Sequence, residues 1–377
     1  MLLEEFDVVV VGGGQAGVAL SFYLQRVGVS HVVLERDVPF SSWRQRWDGF
    51  RTNTPNWMNT LPMVDRGMFP AGDREGFATR DEMVEYLDRC IEAFNPPIRT
   101  GVQVLDVTTT DQGRTWAVKT SNGLYQSRCV AICNGAMSTP RIPAGAADLP
   151  DFVPQLHSLD FRNPTQIGTR SVLVVGTAAS GVQIGRILCE SGRFDRVHFG
   201  ASRVLLLPRA ILGIPTHKVA HFFGLFDLKK RSMLGKLISP GLETRGDPIM
   251  RPTPKDLRRL YGKVELHGRF EGADDAAIYF SDDTSLPLDD LTIIWCTGFR
   301  PDYSFVDFAG RDAAFEPTGN PRHARGVVAA ALGLYFVGLR LQHTIASHDI
   351  YGVAKDAEFT ATHISHHLQT RTGPNAA

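Results

Sequence analysis

The residues best suited to chemistry form a glycine pattern near the start of the chain. Gly12, Gly14 and Gly17 make a GxGxxG directly behind the apolar run Val8–Val11 and ahead of the helical pattern VALSFYLQRVG. The first glycine permits a tight turn, the second lets backbone approach a pyrophosphate, and the third allows close helix packing. The helix N-terminus adds N–H donors and partial positive charge. The next strand pattern, HVVLE, ends in Glu35, 18 residues after Gly17. A carboxylate there accepts hydrogen bonds from a ribose diol and repels a 2′-phosphate, which fits FAD or NAD and excludes NADP.

A second pattern, with Gly176, Ala178 and Gly181, reads GxAxxG after the apolar run SVLVV. Its expected contacts are Gly176, Ser180 and Gly181. The following strand pattern, RVHFGASR, carries no acid at its end and has Arg203 there instead. An arginine in that place accommodates a 2′-phosphate and points to NADPH; a solvated surface arginine is the other reading. Asn53, in RTNTP, stands just ahead of Pro55, where asparagine favours a turn. His363 and His367 stand one helical turn apart, a metal-ligand spacing, but without an acidic partner or HExxH they read as a solvated face, so no metal is expected. The five cysteines are odd in number and form no CxxC. Cys129 and Cys133 lie in one strand pattern, CVAIC, too far apart to bridge, so no redox dithiol is expected and a reducing compartment is.

The elements that must position these residues are repeated. Each glycine pattern opens a unit that continues as a helix, passes through an alternating hairpin and closes on an apolar strand ending in a polar residue plus glycine, VAICNG and then TIIWCTG. The spacing from Gly12 to Gly135 is 123 positions and from Gly176 to Gly298 it is 122. Two units in series predict an α/β fold of two Rossmann-like dinucleotide-binding domains. The closing helical pattern from Val353 has no third unit to join and is expected to return to the first domain. The organisation expected is therefore 1–160 for the first part of an FAD-binding domain, 161–290 for an inserted NADP-binding domain, and 291–377 for the return segment. The segment between Leu205 and Leu242 mixes aromatic and basic residues and is expected to pack over the second domain.

Composition agrees with this reading. The 377 residues contain 40 basic and 40 acidic side chains, so no basic field is available for nucleic acid. Hydrophobic residues make up 43% of the chain, enough for buried cores. The longest apolar run, 327–339, is shorter than the ~18–20 residues of a membrane span. A cytoplasmic chain acting on a small-molecule substrate is expected, with a homodimer left open.

Several stretches carry a resemblance: SSWRQRWDGFRTNTPNWMNTLP, LHSLDF, VLLLPRAILG, CTGFRPDYSF and LQHTIASHDIYGVAKDA. On these the chain resembles the class B flavin-dependent monooxygenases, in particular short bacterial CzcO-like flavoproteins and the plant YUCCA-type enzymes. Of the family motif FxGxxxHxxx(Y/F), His157 and Phe161 keep the last two places, while Asp151 and Val153 stand in the first two. The resemblance implies that Gly12, Gly14, Gln15, Ala16 and Gly17 hold the FAD pyrophosphate and that Glu35 and Arg36 flank the ribose. It places Trp43 beside the flavin, Val104 at the adenine through its backbone, Gln342 near the isoalloxazine and Asn53 at the reactive edge. The implied activity is FAD- and NADPH-dependent monooxygenation: a C4a-hydroperoxyflavin transfers one atom of molecular oxygen to a nucleophilic nitrogen or sulfur, or to a carbonyl or indolic acid. An NADPH-dependent flavin oxidoreductase without oxygen transfer uses the same two fingerprints.

Overall fold

The structure, a computed structural model, describes residues 3–370 except 66, 111–113, 136, 138, 202–205, 246–248 and 251. Strand β1 (Leu3–Val11) ends in four buried valines, as a strand covered on both faces requires. It turns into α1 (Gln15–Arg26), then β2 (His31–Leu34) and α2 (Arg80–Phe94). Helix α2 starts at a capping box in which the Thr79 side chain accepts from the Glu82 amide and Glu82 reaches back to the Thr79 N–H. After β3 (Ile98–Arg99), the antiparallel run β4 (Val104–Thr110), β5 (Thr115–Thr120) and β6 (Leu124–Ile132) brings the chain back beside β1. The first sheet has the order β3-β2-β1-β6-β5-β4.

The second unit contains β7 (Gln155–His157), β8 (Ser171–Val175), α3 (Ala179–Glu190) and β9 (Arg196–Gly200). Helices α4 (Thr216–Phe222), α5 (Met233–Arg245) and α6 (Pro254–Tyr261) lead to β10 (Val264–His267). A three-stranded antiparallel layer, β11 (Phe270–Ala273), β12 (Ala277–Phe280) and β13 (Ser285–Pro287), precedes β14 (Leu291–Trp295). The second sheet is parallel throughout, in the order β10-β9-β8-β14-β7. Both β7 and β14 therefore sit in the second sheet, although boundaries at 160/161 and 290/291 leave them with the first unit. The reason is pairing: β14 runs in register with β8 from Leu291↔Ser171 to Trp295↔Val175, and every residue of β14 is buried.

The return segment behaves as its pattern predicts. Strand β15 (Leu334–Phe336) pairs in parallel with the end of β6. Helix α7 (Ile350–Thr370) lays Val353, Ala357, Ala361, Ile364 and Leu368 into the same core as Val18, Leu20 and Leu24 of α1. No helix among the described residues is long and apolar enough to cross a membrane. The segment expected to pack over the second unit instead exposes Leu212, Phe222, Phe223, Met233 and Leu237. Residues 226–230 hydrogen-bond to 343–346, so this segment is tied to the return segment rather than laid on the second core.

The loop 323–326 braces β15. The Gly326 carbonyl accepts from Phe336 N at 2.8 Å, and the Gly326 N–H donates to His323 Nδ1 at 3.0 Å. That bond requires a neutral acceptor nitrogen. Burial, with Lys230 and Arg231 adding to it, pushes His323 down to about 4. In the unfolded chain the ring protonates first, near 6.5, so its contribution to stability is complete above that value and is lost as pH falls toward 4. The thermal midpoint is expected to drop between pH 6.5 and 4, with a shallower slope in His323→Gln. Superimposable pH profiles for the two proteins would remove this role.

Candidate functional site: two matching glycine turns

The two glycine patterns fold into nearly the same turn. Gly12 has φ +107°, and a Cβ there would lie 2.6 Å from the Cys133 carbonyl oxygen; Gly176 has φ +110°, and its Cβ would lie 2.4 Å from that of Cys296. A Cβ on Gly17 or Gly181 would come within 1.9 Å of the carbonyl of the first glycine of its own turn. Both conditions exclude any larger residue. The hydrogen bonds correspond as well: Gly12 N donates to Leu34 O at 2.8 Å and Gly176 N to Gly200 O at 3.0 Å, each binding the turn to the neighbouring strand.

The middle position differs in kind. Gly14 has φ −80° and ψ −172°, ordinary extended backbone, and Ala178 takes φ −75° and ψ −175° at the matching place. Backbone conformation therefore does not require a glycine there. A Cβ on Gly14 would meet nothing within 4 Å, so the space in front of α1 is open. Neither Gly14 nor Ala178 caps its helix with a side chain, so neither cap residue satisfies a first-turn amide of α1 or α3.

Around the first turn, Glu35 is 8% exposed, and its two carboxylate oxygens accept from Gly13 N at 2.6 Å and Asp37 N at 2.9 Å. Arg36 points into solvent and pairs with Asp37. The Val102 amide donates to the Glu35 carbonyl at 2.9 Å, and Val104, two residues on, begins β4 with its backbone paired to Thr120. Gln15 links three segments: its amide nitrogen donates to the His348 carbonyl at 2.8 Å, and its oxygen accepts from the Trp43 indole at 3.1 Å. Gly338, just after β15, lies so near Ala16 that a Cβ on it would stand 2.8 Å from the alanine methyl. The return segment thus closes over the N-terminus of α1. Gln342 is buried within that segment, donating to Phe336 O at 3.0 Å and accepting from Leu339 N at 3.1 Å, so its side chain braces the loop.

Asn53 lies where the two units meet. Its Oδ1 accepts from Gln183 Nε2 at 2.9 Å, and Gln183 also bonds the Arg51 backbone, donating to its carbonyl at 2.9 Å and accepting from its amide at 3.2 Å. Gln183 projects from α3, the helix that opens the second turn, so one side chain locks the Asn53 loop to it. No motif singled it out; the available signal was a polar residue inside the otherwise apolar pattern GVQIG. Trp47 and Phe50, from the first unit, are buried in the core of the second, and Trp43 packs against both cores. His157 accepts from Leu159 N at 3.2 Å and bonds Gly298 O at 3.1 Å, which holds the end of β7 against the second closing loop. Ser180 is half-buried in the first turn of α3. Arg203 lies outside the described residues. His363 hydrogen-bonds the Tyr335 hydroxyl at 3.2 Å, a packing role rather than the solvated one expected.

Residues 9–198 match the family model described as pyridine nucleotide-disulphide oxidoreductase. The chain belongs to that family. It is 33% identical over 366 residues to an oxidoreductase described as CzcO-like from Geobacillus kaustophilus, covering 96% of this chain and 99% of the relative. It is 26% identical over 387 residues to the indole-3-pyruvate monooxygenase YUCCA1 of rice, covering 92% and 90%. A flavin-containing monooxygenase from Stenotrophomonas maltophilia has the same fold, with a TM-score of 0.75 at 21% identity over 97% of this chain and 99% of that one. This family member is thus an oxidoreductase with the two-domain architecture of the flavin monooxygenases. The disulphide of the family description has no counterpart in its cysteines, which are all buried and form no disulfide. Burial pushes the Cys90 and Cys189 thiols up to about 11, and those of Cys133 and Cys296 higher still, which makes poor nucleophiles of them.

Proposed function

We propose that the protein is an FAD- and NADPH-dependent monooxygenase that transfers one atom of molecular oxygen to a small organic substrate bearing a nucleophilic nitrogen or sulfur, or to an indolic or other carbonyl acid. The observation that carries this reading is Asn53, an amide held by Gln183 of α3, the helix that opens the second glycine turn. FAD fits the first turn: the space before Gly14 is open, no cap side chain takes a first-turn amide of α1, and Glu35 stands buried at the strand end beside it. NADPH fits the second, where Gly176, Ser180 and Gly181 repeat the arrangement and Arg203 supplies the cation for a 2′-phosphate.

The chemistry supplied by bound FAD is acceptance of a hydride from NADPH and activation of oxygen. The protein's part is positional. Gly12 and Gly17 shape the turn, Gln15 holds Trp43 and the return segment over it, and Val104 offers backbone to the adenine. Gln342 stiffens the loop that covers the ring system. Asn53 keeps its amide N–H groups for the reacting oxygen while its carbonyl is engaged by Gln183, so the donor end is presented in one orientation.

The test is incorporation of labelled oxygen from ¹⁸O₂ during NADPH oxidation with a panel of amines, sulfides and indolic acids. One labelled atom per NADPH in one substrate class is the expected result. NADPH consumption with an artificial electron acceptor and no label in any product would make the protein a flavin reductase instead. In Asn53→Ala, leakage to hydrogen peroxide is expected to rise roughly 10- to 100-fold, the worth of one hydrogen bond to a charged acceptor, while reduction by NADPH persists. Gln183→Ala should move the same ratio less. Loss of FAD from either variant would mark the pair as structural.

A further inference from the structure

We propose that His198 Nδ1, Glu265 Oε2 and His267 Nε2 form a three-ligand site for a divalent transition-metal ion, Zn²⁺ by its ligand chemistry, at the edge of the second sheet. This goes beyond the flavin reading and does not rest on it.

Register brings the three together. His198 on β9 is the direct partner of Glu265 on β10, and His267 follows Glu265 by two, so all three side chains leave the same face. β10 is the outermost strand, and Glu265 is 44% exposed at its side chain, which gives an ion access from solvent. The other ligand strand is covered, with His198 only 4% exposed.

The distances suit a tetrahedral ion. His198 Nδ1 is 3.0 Å from His267 Nε2 and 3.4 Å from Glu265 Oε2, and the three ligand atoms all lie within 4.8 Å of one another. Bonds of ~2.0–2.1 Å at tetrahedral angles place ligand atoms about 3.3 Å apart. Two histidines and one carboxylate, with a fourth position left for water, form a donor set that zinc accepts.

The surroundings set the ligand atoms. Thr284 donates its hydroxyl proton to Asp282 Oδ1 at 2.7 Å, so its oxygen is the acceptor for His267 Nδ1 at 3.2 Å. The proton of His267 therefore sits on Nδ1, and its Nε2 accepts from His198 Nδ1–H, a proton that a bound ion displaces. The ring of His267 is held by stacking on Phe280 at 4.5 Å between centroids. Arg196 engages the other Glu265 oxygen at 3.4 Å and leaves Oε2 for the ion. An ion here would tie β9, β10 and the β12–β13 turn together.

The test uses the full chain as purified with its flavin, dialysed against a chelator and titrated with Zn²⁺ by calorimetry and with Co²⁺ by visible absorption. One equivalent is expected, with the visible bands of four-coordinate Co²⁺. His267→Gln should weaken binding at least 10-fold, and Thr284→Val, which removes the outer hydrogen bond to His267 together with the Thr284–Asp282 bond but no ligand, about 10-fold. His363→Gln, on α7, should leave binding unchanged. Flavin content and far-ultraviolet circular dichroism check that each variant folds, and Thr284→Val carries the test if His267→Gln does not. No binding by the wild type at a large molar excess of Co²⁺, or identical isotherms for the wild type and Thr284→Val, overturns the proposal.

Discussion

Gly17→Ala is expected to yield a chain that neither folds stably nor holds flavin, whereas Gly14→Ala should fold normally and lose flavin affinity alone. At Gly17 the new methyl would lie 1.9 Å from the Gly12 carbonyl oxygen. Gly12 cannot retreat, because its own conformation at φ +107° is held against the Cys133 carbonyl and by its bond to Leu34. Overpacking a site that can relax costs about 1–3 kcal/mol; here rigid backbone stands on both sides, so a loss above about 3 kcal/mol is expected, read by urea denaturation. At Gly14 the backbone is already one that alanine adopts, as Ala178 does, and the methyl meets no protein atom. Stability should hold or rise by about 0.4–1 kcal/mol, since the unfolded chain loses freedom. FAD affinity should nonetheless fall about 10- to 100-fold, because the methyl occupies the space through which the pyrophosphate approaches the helix. Undiminished FAD binding by a folded Gly14→Ala protein would remove the first turn from the site.

Arg325→Met is expected to cost about 3–5 kcal/mol, the usual price of a buried charge left without its partner. The partner is Asp356, 1% exposed on α7, whose Oδ1 lies 3.2 Å from Arg325 Nε. The same guanidinium donates to the Lys355 carbonyl at 3.1 Å and lies 4.2 Å from the centre of the Phe359 ring. It thus fastens the loop braced by His323 to the helix that packs on α1. The double variant Arg325→Met with Asp356→Asn should recover part of the loss, since the uncompensated charge is then gone. A denaturation midpoint in Arg325→Met equal to that of the wild type would mean that water reaches Asp356 and that the pair is a surface contact.

The fold was largely legible before any coordinates. Two apolar runs entering glycine turns, with closing strands at almost equal spacing, announce two sheets whose central strands run parallel, because a strand buried on both faces must be apolar throughout. The return of the last segment also followed from its apolar stripe, which needed a core and had only the first unit's to join. The expected boundaries cut off β7 and β14, because a local pattern marks where a strand forms and not which sheet it enters. The segment near Leu212 and Phe222 misled for a related reason: helical spacing of apolar residues shows that a face exists and leaves open whether anything covers it.

The site divides along the same line. Gly12, Gly17, Gly176 and Gly181 were readable from order alone, because each acts on backbone within a few positions of itself or on the strand that the repeat places beside it. Glu35 belongs with them, set by the length of one strand and one helix. Gln183 holding Asn53 across 130 positions, Gln15 reaching His348 across 333, and His198 meeting His267 across 69 were decided only by the tertiary structure. Such contacts arise from sheet order and from the way one unit docks on the other. Local spacing carries no trace of either, since the physical cause is the burial of surfaces that are far apart along the chain.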